Sequence, residues 1–151
     1  MTAREAIAAG RKAARELIWT TGESDPGRLC QLLGIKIERC PQPPPALAQL
    51  GLRSQYLPRP ATIVIYDSAL SCQARAEKNA TVASPTTEQL HLAHELFHHL
   101  EATGQLRPAF PSPRLVLLGR RSHSLSEIAA HAFARELLQG RLSPPAARSR
   151  P

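Results

Sequence analysis

Ser84-Pro85-Thr86-Thr87-Glu88-Gln89-Leu90-His91-Leu92-Ala93-His94-Glu95-Leu96-Phe97-His98-His99-Leu100-Glu101-Ala102-Thr103-Gly104 reads as one helix. Ser84-Pro85 gives a start with proline in the first turn, where its missing N–H costs nothing, and Gly104 gives the stop. Leu90, Leu92, Leu96, Phe97 and Leu100 supply the apolar side chains between them. Within this helix His94 to His98 spell H-E-x-x-H. Residues four apart share one helix face, so both imidazoles reach one ion at about 2.0–2.1 Å. Glu95, rotated aside, is left to hold a water that the ion polarises. Two buried histidines without partners are costly, which favours a metal between them. His91 falls near enough for a supporting role, whereas His99 points elsewhere and reads as a solvated or capping residue.

A catalytic zinc takes three protein ligands and keeps a fourth position open, so a third ligand must come from outside this helix. The metzincin extension is excluded: Glu101 stands where it needs glycine and Gly104 where it needs histidine. Aspartate is scarce, with Asp25 and Asp67 both well upstream. Downstream, His123, Glu127, His131 and Glu136 remain. A last helix, from near Ser124 to Gly140, carries the apolar stripe Leu125, Ile128, Ala129, Ala132, Phe133 and Leu137 and a second face of Glu127, His131 and Leu138. Ser124-x-x-Glu127 is also a capping box, so spacing leaves Glu127 as either cap or ligand.

Further from the motif, Ala3, Ile7, Ala14, Leu17 and Ile18 predict a helix over 3–19. Ser24-Asp25-Pro26 starts a second helix through Leu29, Leu32 and Leu33, which Gly34 stops. Ile35 and Ile37 alternate with Lys36 and Glu38 as a half-buried strand, and Pro41 to Pro45 form a surface connection. Strands follow over Gly51 to Leu57 and over Ala61-Thr62-Ile63-Val64-Ile65-Tyr66. Residues 67–83 are weakly patterned, with a short helix around Gln73 to Lys78, and Leu115 to Leu118 is an apolar run. Short strands between helices give an α+β class.

The 151 residues, 42% hydrophobic and 21% charged, suit one domain over 1–140 followed by a disordered basic Pro/Arg tail over 141–151. Without 18 consecutive apolar residues, and with charges threaded through 1–16, neither a membrane span nor a secretory signal is expected, so the location is cytoplasmic. Cys30, Cys40 and Cys72, odd in number and widely spaced, read as reduced thiols. The net charge of +7 suggests nucleic acid at first sight, but three of those charges fall in 141–151 and residues 84–140 are neutral. With six aromatic residues and no stripe of basic side chains, direct nucleic-acid binding is not expected.

Leu92-Ala93-His94-Glu95-Leu96-Phe97-His98-His99-Leu100, followed by Glu127-Ile128-Ala129-Ala130-His131-Ala132-Phe133-Ala134-Arg135-Glu136-Leu137-Leu138, resembles the ImmA/IrrE family of zinc metallopeptidases. Members typically show an A-H-E-x-x-H-x-L helix and then E-x-x-A-N-x-F-A-x-x-L-L-M-P. The resemblance spans about residues 5–140 and implies a zincin-like fold, with a short antiparallel sheet packed on the metal helix and the later Glu-bearing helix. It makes His94, His98 and Glu127 the ligands of Zn(2+) and Glu95 the general base. His131 replaces the usual asparagine, Gln139-Gly140 replaces Met-Pro, and the Ala102 to Ser124 segment is long and proline-rich. Those departures bear on substrate choice and the cleft rim. His131, His123 and Tyr56 are candidate donors to the oxyanion, and His131 also a group that orients Glu127. The implied activity is a prokaryotic or phage gluzincin-type metalloendopeptidase. Its implied partner is a separate protein, such as a helix-turn-helix repressor or antitoxin, that governs transcription. A non-catalytic regulator that sequesters such a partner is the alternative.

Overall fold

Ala6, Gly10, Ala14 and Leu17 recur every three or four residues, and all four are buried. They line α1 (Ala3–Thr21), which opens on a capping box between Thr2 and Glu5 and closes on Gly22 at φ 70°. The stripe is made mostly of small residues because α1 lies close against α5 (Leu125–Gln139). A Cβ on Gly10 would stand 2.2 Å from the carbonyl oxygen of Ala129. Of the apolar face expected from sequence, Ala14 and Leu17 are buried and Ile18 packs against the core, whereas Ala3 is exposed and Ile7 is 37% exposed. Close helix approach selects the smallest side chains for the interface, not the most hydrophobic. Gly10→Ala is therefore expected to push the helices apart at a cost of about 1–3 kcal/mol, as overpacking does, and thermal unfolding should show a lower Tm.

The computed structural model describes residues 1–49, 51–66, 86–107 and 124–139. The expectations for residues 67–83, for Leu115 to Leu118, for His123 and for the 141–151 tail lie outside these. After α1 come α2 (Pro26–Leu32), capped by the Asp25 carboxylate, then β1 (Lys36–Cys40) and the single turn α3 (Pro45–Ala48). The hairpin strands β2 (Ser54–Pro58) and β3 (Ala61–Tyr66) follow, then α4 (Thr87–Ala102) and α5. The cap of α4 is Thr86, paired with Gln89 in a capping box. The helix thus begins at Thr87, within the expected start, and Ser84 and Pro85 lie outside the described residues.

The fold is α+β, but the expected antiparallel sheet is corrected: the three strands, in order β1-β3-β2, form a mixed sheet. β2 pairs antiparallel with β3 (Tyr56 opposite Ile63), while β1 pairs parallel with it (Ile37 opposite Ile63). The apolar run of β3 explains this order. Ile63 and Ile65 are fully buried and Val64 nearly so, which suits a central strand hydrogen-bonded on both edges. With β2 holding one edge through the hairpin, β1 takes the other, and residues 41–53 are long enough to return the chain across.

α4 lies between β2 and β3 on one side and α5 on the other. Leu96, Phe97, Phe133 and Leu137 are fully buried there, with the Phe97 and Phe133 ring centroids 5.6 Å apart. Residues from α1, α2, β3, α4 and α5 share one hydrophobic cluster. Among the described residues the motif helix is thereby packed by β2, β3, α2 and α5. No helix among the described residues is long and apolar enough to cross a membrane.

Candidate metal centre

On α4, His94 and His98 bring their Nε2 atoms to 3.2 Å from each other. From α5, Glu127 reaches across, its Oε2 3.2 Å from His94 Nε2 and its Oε1 3.2 Å from His98 Nε2. Donors bound tetrahedrally at about 2.0–2.1 Å stand about 3.3 Å from one another, close to the spacing of the two imidazole nitrogens and of each from its own Glu127 oxygen. His94 and His98 are largely buried, while the Glu127 side chain is 43% exposed, so the open side of the cluster faces solvent.

The two roles left open for Glu127 turn out to be compatible. Its backbone N–H donates to Ser124 Oγ at 3.2 Å, so the residue takes part in the helix cap through its main chain. Its carboxylate turns instead to the histidines. Hydrogen bonds from His94 and then His98 hold that carboxyl well below the ordinary value of 4.5. Burial alone would lower His98, but hydrogen bonds to Glu101 and Glu127 outweigh it and push the imidazole up to about 10.

Supporting contacts stand behind two of these residues. His98 Nδ1 faces Glu101 Oε2 at 3.2 Å, and Ser126 Oγ donates to the same oxygen at 2.8 Å, which fixes the ring that points at the site. Glu101 had served the sequence argument only to exclude the metzincin pattern. Its spacing three residues after His98 was the signal for this second role. Glu95 is buried, and Ser54 Oγ donates to its Oε1 at 2.6 Å. His91 Nδ1 lies 3.3 Å from the same hydroxyl and is lowered by burial. Ser54 lies 41 residues upstream on β2, and nothing local marked it.

His99 is corrected: it is buried, not solvated, and its Nδ1 lies 2.9 Å from Tyr56 Oη. That face of α4 packs against β2, which also engages Tyr56, the side chain considered as an oxyanion donor. Glu136 is directed at α1, with Oε1 2.7 Å from Arg15 Nε, and so is no ligand candidate. His131, one turn beyond Glu127, is exposed, and its ring centroid lies 4.7 Å from that of His94. One donor atom each from His94, Glu127 and His131 lie within 4.8 Å of one another, a group able to hold a metal ion. Cys30 is a buried free thiol, pushed up to about 12 by burial and then by Asp25, and takes no part. Compared with protein-family models, with curated proteins and with solved structures, the chain matches none.

Proposed function

We propose that this protein is a zinc-dependent endopeptidase of zincin-like architecture that cleaves a cytoplasmic regulatory protein, such as a helix-turn-helix repressor or antitoxin. The observation that carries this reading is the convergence of His94, His98 and Glu127 at 3.2 Å spacings, with a buried Glu95 fixed beside them. Two imidazoles and one carboxylate with a solvent-facing side suit Zn(2+). Bound there, zinc would act as a Lewis acid, lowering the pKa of water to about 7 and polarising a peptide carbonyl.

The protein groups then divide the work. Ser54 anchors Glu95 through Oε1, leaving Oε2 to take the proton of the attacking water and pass it to the departing amine. Glu101 and Ser126 keep the His98 ring in its orientation. His131, beside His94 on the exposed side, donates a hydrogen bond to the oxygen that gains charge. Glu95 favours catalysis over sequestration, since a zinc that only stabilises the fold needs no base.

The partner class comes from the resemblance in sequence, and the test uses it. A helix-turn-helix regulator encoded beside this chain, incubated with the zinc-loaded protein, should yield discrete fragments. A chelator should abolish them and added zinc restore them. Stable complex formation without fragments would favour the sequestering regulator.

A further inference from the structure

We infer that His131 is a displaceable fourth ligand: at rest its imidazole completes a shell with His94, His98 and Glu127, and water takes its place when a substrate enters the cleft. The inference rests on the metal reading above and concerns how that site is kept closed. His131 follows Glu127 by four residues on α5, so the two side chains project from one face toward α4. Its ring packs beside His94 at 4.7 Å between centroids, tilted by 55°. Its donor nitrogen lies within 4.8 Å of donor atoms of both His94 and Glu127.

His94 Nε2 and His98 Nε2 already stand 3.2 Å apart and each lies 3.2 Å from one of the two Glu127 carboxylate oxygens, close to the separation of atoms that share an ion. The His131 donor atom lies within 4.8 Å of those of His94 and Glu127. His94 and His98 sit largely buried on a helix packed on two sides, and Glu101 holds His98. His131 is exposed. Three close-set donors and one exposed donor beside them make a shell that can close on itself and reopen. Three imidazoles and a carboxylate saturate a tetrahedral ion, as in structural sites, which leaves no position for water until His131 departs. Once displaced, the same imidazole stands next to the incoming carbonyl and can donate to it.

Cobalt(II) and azide test this with the full chain, without reference to turnover. Wild-type protein, His131→Asn and His131→Ala are each loaded with cobalt(II) and titrated with azide, and zinc affinity is measured by competition with a chromogenic chelator. His131 is exposed, and circular dichroism checks that both variants keep the helical signal. The expected result is a changed visible cobalt spectrum in both variants, zinc affinity about 10–100-fold weaker, and azide binding at least about tenfold tighter because no imidazole must be displaced. Identical cobalt spectra and azide affinities in all three proteins, each holding one metal per chain, would overturn the fourth-ligand role and leave the three-ligand site intact. Failure of the wild-type protein to take up cobalt or zinc would overturn the metal reading itself.

Discussion

Glu95→Gln should keep its zinc and its partner while losing turnover by roughly a hundredfold to ten-thousandfold, the contribution of a positioned general base. Glutamine has the same length, and its amide oxygen still accepts the hydrogen bond that Ser54 Oγ gives to Oε1. The buried site is therefore not left with an unpaired hydroxyl, and the fold should tolerate the change. What the amide cannot do is take a proton. The Glu95 carboxylate is engaged by Ser54 and is not one of the three proposed ligands, so metal content should stay near one per chain. Zinc analysis, co-purification of the partner and a cleavage time course read the three properties separately. If Glu95→Gln antagonises the partner in cells as well as the unaltered protein, and neither form produces fragments, the peptidase reading gives way to the sequestering one.

That separation is possible because sequence and structure inform different parts of the site. His94, Glu95 and His98 were legible because helical spacing alone puts both imidazoles on one face. Glu127 was legible as one of four downstream candidates, and only the approach of α5 to α4 shows that it can cap with its backbone and reach the histidines with its carboxylate. Ser54 was not legible, because its relation to Glu95 is made by the sheet edge packing on α4, and no local spacing encodes which strand residue faces which helix turn. His99 was misjudged for the same reason: a polar residue on a helix reads as solvated until the strand that covers it is known. The β3 strand was read correctly from its β-branched run, yet the parallel pairing with β1 depends on strand order, which local alternation does not specify. On α1, Ala14 and Leu17 are buried as expected, but the tight contact with Ala129 is made by Gly10, which a count of apolar residues passes over.

Removal of the third ligand should have the largest effect on the metal. Glu127→Ala leaves two imidazoles on one helix, and zinc affinity should fall by at least about a hundredfold, more than the loss of a merely orienting group produces. Thermal unfolding gives a second readout, because zinc at about a hundred times its Kd adds about 2.7 kcal/mol to a protein that binds it only when folded. That increment should depend on pH in a definite sense. In the metal-free protein His98 is raised from 6.5 to about 10, so its contribution to stability is complete below 6.5 and is lost as pH rises through 10. Glu127 is lowered from 4.5, so its contribution is present above 4.5 and is lost as pH falls toward its depressed folded value. The chelated protein should therefore draw most from this cluster between 4.5 and 6.5. Zinc must displace the His98 proton, so the gap in Tm between zinc-loaded and chelated protein should widen as pH rises from about 6 to about 9. Glu127→Ala should abolish most of that gap at every pH. Should Glu127→Ala retain stoichiometric zinc with the gap unchanged, Glu127 would be a helix cap alone, and His131 would become the third ligand, since its nitrogen is already within 4.8 Å of His94.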